Sequence, residues 1–221
     1  NRAASSKAGA ADTLEALRLD MERAGAMAEE TLNELGICFL FAANHHPAMK
    51  RITPIRRQIG KRTIFNLMGP LANPAHVTRQ LIGIARPDYA PVYADALEQL
   101  GTEAALVVSG EEGLDEVSGA GPTIAVAMGS AKMSARIVPE DAGVQRHPID
   151  AIRGGDPAYN ATALRQLLTG THGAYRDAVL LNAAVALTLV GEPLENGARR
   201  AAEGIDSGAA NDLLDRWIAW A

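Results

Sequence analysis

The chain has 221 residues, of which 48% are hydrophobic and 4% aromatic, so it can bury a sizeable core built mainly from Ala, Leu, Val and Ile. Its net charge of −5 argues against a nucleic-acid partner, and its single cysteine, Cys38, argues against a disulfide scaffold. The sequence shows no secretory signal and no apolar run long enough to span a bilayer, which favours a soluble, cytoplasmic protein without membrane partners.

Charge is distributed unevenly along the chain. Residues 35–87 contain eight Lys and Arg residues and no Asp or Glu, so the remainder carries a net charge of −13. A basic segment of this kind can bind an anionic partner. Charge alone nevertheless favours a solvated basic face as the explanation.

Helical spacing of apolar residues dominates the start of the chain. Asp12 is expected to cap a helix that continues to Met21, and a second helix is predicted over 26–35, with Gly36 as its stop. Two prolines indicate a loop over 45–62, and a short helix is predicted over 63–68.

The middle of the chain alternates between strand and helix patterns. Short apolar runs predict strands at 79–85, 104–110, 123–128 and 133–138. Helices are predicted at 91–100, 160–168, 174–191, 196–205 and 212–221. We therefore expect an α/β fold with a mixed, mainly parallel sheet flanked by helices, forming a single α/β domain over residues 1–221.

Two adjacent acids, Asp115 and Glu116, follow the buried strand at 104–110. In open α/β sheets, ligands bind at the carboxyl ends of the strands, and carboxylates are the oxygen ligands that Mg²⁺ prefers. The alternative is a solvated acidic turn, because Glu111 and Glu112 lie in the same loop. The pair by itself favours that alternative.

Two segments have the composition of a phosphate-binding loop. Residues 1–6 offer backbone amides, two hydroxyls and a guanidinium before a helix, although such a loop can simply cap that helix. Gly154, Gly155 and Asp156 also precede a helix. There we favour a turn in which Asp156 or Asn160 caps the helix.

Two other groups of polar residues are less specific. His45 and His46 are adjacent and therefore cannot share a helical face as a zinc pair. Arg56 can pair with a substrate carboxylate or be exposed, and sequence spacing does not distinguish these alternatives.

Several strings together resemble one enzyme family over essentially the whole chain. The strings are NRAASSKAGAADTLEAL, HHPAMKRITPIRRQIGKRTIFNLMGPLANP, GLDEVS and RDAVLLNAAVAL, and the second is the most distinctive. They resemble the anthranilate phosphoribosyltransferases. The resemblance implies a C-terminal domain like those of nucleoside phosphorylases and phosphoribosyltransferases.

The resemblance also implies a larger two-domain enzyme. In the family, a Gly-rich pyrophosphate loop and most of a helical domain precede the position of Asn1. The sequence is therefore expected to lack these parts, and residues 26–60 are expected to pack with the helical domain.

Site residues are implied position by position. Anthranilate would contact Asn1, Arg56 and His46, and Mg²⁺ would be held by Asp115 and Glu116. Phosphoribosyl pyrophosphate (PRPP) would contact Asn1, Arg2, Ala3, Ala4, Ser5, Ser6 and Ala10. Ala10 stands where the family often has Ser, and its side chain has no hydroxyl to contact PRPP.

The implied reaction transfers the phosphoribosyl group of PRPP to the amine of anthranilate and releases pyrophosphate, in tryptophan biosynthesis. No general acid or base is expected, because a neutral aromatic amine can attack without prior deprotonation. A homodimer is expected for the full-length enzyme. The alternatives are a related nucleoside phosphorylase of the same fold and a noncatalytic remnant.

Overall fold

The computed structural model describes residues 7–41, 45, 58 and 67–220. The chain divides into two compact units. The first takes its described residues from Asn1–Pro74, Gly154–Thr169 and Gly208–Ala221, and the second comprises Ala75–Arg153 and Gly170–Ser207. The predicted single domain, and the packing of residues 26–60 against a further helical domain, stay predictions.

The described residues form nine α-helices and four strands. The helices are α1 (Ala10–Ala16), α2 (Met21–Ala26), α3 (Ala28–Leu35), α4 (Met68–Leu71), α5 (Ala90–Gln99), α6 (Pro157–Leu168), α7 (Ala174–Thr188), α8 (Leu194–Asp206) and α9 (Ala209–Trp220). The strands are β1 (Arg79–Gly83), β2 (Ala104–Gly110), β3 (Thr123–Gly129) and β4 (Arg136–Ile137). None of the helices in this part of the chain is long and apolar enough to cross a membrane.

The predicted first helix is divided into two. Helix α1 ends at Ala16, and Arg18 adopts a left-handed conformation with a φ of 75°. Asp20 then caps α2, because its carboxylate accepts hydrogen bonds from the amides of Glu22 and Arg23 at 2.9 and 3.0 Å. The expectation of one helix through Met21 was wrong.

The predicted cap of that helix was also misplaced. Asp12 lies inside α1, where its carboxylate accepts a hydrogen bond of 2.9 Å from the amide of Gly9. Gly9 occupies the capping position itself. The predicted end of α3 is confirmed, since Gly36 follows it in a left-handed conformation.

The first unit is a helical cluster around a small apolar core. Helix α1 packs against α6, and α9 packs against α3 and α6. Ala11 and Ala24 are fully buried, and Trp217 of α9 is almost so. The helical spacing of the apolar residues thus explains which face of each helix is buried in this core.

The second unit is built on a four-stranded sheet in the order β1-β2-β3-β4. Strands β1 and β2 are parallel, in a register that runs from Arg79 opposite Ala104 to Gly83 opposite Val108. The β2–β3 and β3–β4 pairs are antiparallel. The mixed sheet is confirmed, but among the described strands the expectation of mainly parallel pairing was wrong.

The segments that connect the strands explain which pairs are parallel and which are antiparallel. A parallel pair needs a crossover, which α5 supplies between β1 and β2. No helix separates β2 from β3 or β3 from β4, so the chain turns back on itself. Helix α5 packs on β2 and β3, while α7 contacts β1 and packs against α8. Strand β2 is consequently buried over its whole length.

Candidate functional site

The segment 111–118, which we call the acid loop, follows β2. Its tight turn is fixed by two backbone hydrogen bonds of 2.8 Å, from the amide of Gly110 to the carbonyl of Leu114 and from that of Gly113 to the carbonyl of Gly110. Because β1 and β2 are parallel, their carboxyl ends share one edge of the sheet. Ligands of open α/β folds bind at this kind of edge.

Two of the four acids in the loop have partners within the protein. The guanidinium of Arg136 donates to the carboxylate of Glu111 over 3.1 and 3.4 Å. The hydroxyl of Ser118 donates a short hydrogen bond to Glu112. These two carboxylates are therefore already occupied by contacts within the protein.

The other two acids have no such partner. Asp115 and Glu116 are exposed, and within the described part of the chain neither carboxylate has a hydrogen bond or ion pair. Neighbouring carboxylates without protein partners can accept an external cation. The structure thus distinguishes Asp115 and Glu116 from the acids beside them.

The charge on Glu116 is disfavoured in its surroundings. Desolvation, followed by the negative charge of Asp115, raises the pKa of the Glu116 carboxyl. The pKa of Tyr175, at the start of α7, is raised as well. Burial is the main cause, and the negative charge of Glu116 is the second. A divalent cation between the two carboxylates would relieve this repulsion.

The donor set fits magnesium better than a closed metal cage. No cluster of three or more His, Cys, Asp or Glu side chains suitable for a metal occurs among the residues that the structure describes. Mg²⁺ is commonly held by one or two carboxylates and completes its octahedron with waters and substrate phosphates. Asp115 and Glu116 have the donor chemistry that such an open site needs.

Gly83, the last residue of β1, allows the acid loop to approach the sheet. A Cβ atom built at this position would overlap the backbone carbonyl of Asp115 and lie 3.2 Å from the amide nitrogen of Glu116. The two acids can therefore cross the end of β1 only because residue 83 has no side chain.

Ser118 is the centre of the hydrogen bonds that close the loop. It is fully buried, and its amide donates to the hydroxyl of Thr123 over 2.8 Å. Its own hydroxyl accepts from the amide of Ala120 over 3.0 Å and donates to Glu112. The end of the loop is thereby fixed to the start of β3.

Replacing Ser118 with Ala should lower the free energy of unfolding by about 1–2 kcal/mol, because two hydrogen bonds are lost and the amide of Ala120 loses its partner. Chemical denaturation of the variant and the wild type measures this difference. Ser134→Ala is the control, since that hydroxyl makes only a long, exposed contact with Arg136. Equal stability of the Ser118 variant and the wild type would contradict the proposed contribution of this network.

Most of the other predicted site residues lie outside the described residues. These are Asn1, Arg2, Ala3, Ala4, Ser5, Ser6, His46 and Arg56. Ala10 is described and is the exposed first residue of α1, in the first unit. Its role in binding PRPP stays a prediction.

The glycines before α6 form a structural turn. The carboxylate of Asp156 accepts a hydrogen bond of 2.8 Å from the amide of Tyr159 and caps the helix, as predicted. Asn160 holds the backbone of Gly155 with its side chain. The polar groups of this turn thus already have hydrogen-bond partners within the protein.

The basic segment is described only in part. Arg79 forms an exposed ion pair of 3.0 Å with Glu103, and Arg86 forms one of 2.6 Å with Asp88. Both pairs agree with a solvated face at these two positions. The remaining cations of residues 35–87 lie outside the described residues.

The sequence matches a family model described as "Glycosyl transferase family, a/b domain" over residues 1–211. An anthranilate phosphoribosyltransferase from Novosphingobium aromaticivorans is 61% identical over 222 residues, which cover 99% of this chain and 67% of that protein. The chain belongs to the anthranilate phosphoribosyltransferase family. It thus spans about two thirds of the length of this relative.

Solved structures of anthranilate phosphoribosyltransferases have the same fold. The enzyme from Thermus thermophilus is 42% identical and superposes with a TM-score of 0.90, covering 100% of this chain and 66% of that one. The enzyme from Saccharomyces cerevisiae in complex with PRPP and Mg is 28% identical, with a TM-score of 0.89 and coverages of 99% and 62%. The predicted α/β fold with a mixed sheet flanked by helices, and the predicted family, are confirmed.

Membership of the anthranilate phosphoribosyltransferase family also confirms the predicted class of reaction. The family consists of transferases of tryptophan biosynthesis that join a phosphoribosyl group to anthranilate. The names of these relatives favour this class over a related nucleoside phosphorylase.

Three residues that shape the loop were missed by sequence reasoning: Gly83, Ser118 and Asn182. Gly83 and Asn182 each contact a partner that only the tertiary fold brings close, whereas the partners of Ser118 lie within six positions along the chain. Asn182 alone had a visible signal, because it interrupts the apolar run from Ala178 to Val190. A polar residue there indicates either a buried hydrogen bond or an exposed face.

Proposed function

We propose that the full-length protein transfers the phosphoribosyl group of PRPP to the amine of anthranilate, and that Asp115 and Glu116 bind the Mg²⁺ that accompanies PRPP. The observation that carries the metal assignment is the pair of exposed residues at the carboxyl edge of the sheet, whose carboxylates have no partner among the described residues. The complex of the yeast relative with PRPP and Mg supports it.

The reaction replaces one bond to the sugar carbon C1 with another. The amine nitrogen of anthranilate forms a bond to C1 while the bond from C1 to the pyrophosphate oxygen breaks, and the amine then loses a proton to solvent. Asp115 and Glu116 would hold Mg²⁺ in a fixed position, and the bound metal would supply stabilisation of the negative charge on the leaving pyrophosphate.

The remaining contacts are proposed from the family resemblance. Residues 1–6 and Ala10 bind PRPP, and Arg56, His46 and Asn1 bind anthranilate. A guanidinium such as that of Arg56 can make a bidentate contact with the anthranilate carboxylate, so that the amine is oriented towards C1. We propose no general acid or base.

Formation of phosphoribosyl anthranilate by the purified full-length protein tests the proposed function. Anthranilate and PRPP are supplied with and without Mg²⁺, and loss of anthranilate fluorescence is followed. We expect turnover with Mg²⁺ and a strong decrease when the metal is chelated. Absence of turnover with Mg²⁺ would contradict the proposal and favour a noncatalytic remnant.

Replacing Arg56 with Ala should raise the KM for anthranilate more than that for PRPP. Losing a charge-assisted hydrogen bond costs roughly 1.5–3 kcal/mol, which corresponds to about a tenfold increase or more. Initial rates measured against each substrate in turn give the two constants. Arg57→Ala removes a neighbouring charge as a control, and a change confined to the KM for PRPP would contradict this role of Arg56.

Assembly and location are further parts of the proposal, suggested by the family resemblance. We propose a homodimer in the cytoplasm, with anthranilate and PRPP as the small-molecule partners. Sedimentation equilibrium of the full-length protein determines its mass directly. A monomer at all concentrations would contradict the proposed dimer and leave the proposed reaction unaffected.

A further inference from the structure

Asn182 connects helix α7 to the acid loop through two side-chain contacts. Its Oδ1 accepts a hydrogen bond of 3.0 Å from the amide of Val117, and its Nδ2 donates one of 2.9 Å to the carbonyl of the same residue. The Nδ2 group also donates to the carbonyl of Ala178 in α7, over 2.9 Å. The side-chain amide is therefore oriented by its own helix while it holds the loop.

The residue held in this way directly follows Glu116. Val117 is 1% exposed, and its amide and carbonyl are both bonded to Asn182. On the other side of the two acids, the carbonyl of Leu114 accepts from the amide of Gly110. Asp115 and Glu116 thus lie on a two-residue span whose ends are both fixed by hydrogen bonds.

We propose that Asn182 is a positioning residue for the metal site, acting through the backbone of Val117 to set the spacing of the Asp115 and Glu116 carboxylates. The inference rests on the proposed function, since it takes these two residues as the Mg²⁺ ligands. Groups that orient metal ligands contribute to metal affinity because the ligands need not be ordered when the metal binds.

The chain offers a matched control at Asn160. Its Oδ1 accepts from the amide of Gly155 over 2.8 Å, and its Nδ2 lies 3.4 Å from the carbonyl of the same residue. Asn160 and Asn182 are both half-buried residues on helices. The loop that Asn160 holds contains Asp156, which is already engaged as a helix cap. Asn160→Ala therefore removes the same type of contact without affecting the acid pair.

The test compares Asn182→Ala and Asn160→Ala in the full-length protein. Binding of Mn²⁺ in the presence of PRPP is measured by electron paramagnetic resonance, alongside the melting temperature and the Mg²⁺ dependence of the rate. We expect both variants to melt earlier. Only Asn182→Ala should raise the dissociation constant for Mn²⁺, by about fivefold or more for the loss of these hydrogen bonds. Equal metal affinity in both variants would overturn the inference.

Further variants keep the inference testable if Asn182→Ala does not fold. Asn182→Gln retains both amide atoms on a longer side chain, and we expect it to fold and to weaken Mn²⁺ binding to a smaller extent. Unchanged metal affinity in Asn182→Gln, together with an unfolded Asn182→Ala, would assign Asn182 a purely structural role and overturn the inference.

The double variant Asp115→Asn, Glu116→Gln distinguishes a failure of the proposed metal site from a failure of the inference about Asn182. If it binds Mn²⁺ like the wild type, the proposed metal site is wrong, and the inference about Asn182 fails with it. If it loses Mn²⁺ binding while Asn182→Ala retains it, the metal site stands and only the inference fails. If the metal site and the role of Asn182 are both correct, adding Asn182→Ala to the double variant should cause no further loss of Mn²⁺ binding.

Discussion

Replacing Asp115 with Asn and Glu116 with Gln in the full-length protein should reduce Mg²⁺-dependent formation of phosphoribosyl anthranilate by about 10²-fold or more. Removing a single group that stabilises developing charge typically costs 10²–10³ in kcat, and this variant removes both proposed ligands. The fold should persist, because both residues are exposed and neither carboxylate has a partner among the described residues. Steady-state rates across a Mg²⁺ titration measure the effect.

The neighbouring acids supply a control with the same change in charge. Glu111→Gln with Glu112→Gln also removes two negative charges from the acid loop. The contact of Glu111 with Arg136 is exposed, and a Gln at position 112 can still accept from Ser118. This variant should retain its response to Mg²⁺. Equal losses in the two double variants would show that the overall charge of the loop matters and that the specific pair does not.

Replacing Gly83 with Ala should disturb both the stability of the fold and the metal site. The added Cβ would overlap the carbonyl of Asp115, which belongs to the backbone and cannot rotate away. Overpacking of this kind typically costs about 1–3 kcal/mol of unfolding free energy. Because the loop can escape only by moving its two acids, the affinity for Mn²⁺ should fall as well. Chemical denaturation and Mn²⁺ titration measure the two effects.

Gly121 provides the control for the added methyl group. It lies between the acid loop and β3, and a Cβ atom there would meet no atom within 4 Å apart from its chain neighbours. Gly121→Ala should therefore leave stability and metal affinity close to those of the wild type. If Gly83→Ala were equally harmless, the close approach of Asp115 to β1 would not be a requirement of the site.

The α/β class could be predicted because apolar runs of strand length alternate with helical periods. The direction of β3 was predicted wrongly, because strand length alone does not distinguish parallel from antiparallel neighbours. The missing helix between Gly110 and Thr123 was the available signal. The break before Met21 was missed because the apolar residues on either side of Arg18 keep a helical spacing. The only sign of a new helix is Asp20, whose side chain caps it.

The acid pair could be predicted as a candidate from its position after a buried strand. Composition and position alone could not separate Asp115 and Glu116 from Glu111 and Glu112, because the difference depends on their partners. Only the family resemblance singled out the pair. Arg136, which binds Glu111, is 25 residues away. Asn182 is 65 residues from Val117, and only the fold brings them together.

The position of the metal itself tests the central claim most directly. Crystals of the full-length protein grown with PRPP and Mn²⁺, in place of Mg²⁺, allow the ion to be located by its anomalous scattering. We predict an ion at coordination distance, about 2.1 Å, from carboxylate oxygens of Asp115 and Glu116, with PRPP oxygens or waters completing its shell. An ion bound to PRPP with both carboxylates outside its coordination shell would contradict the claim.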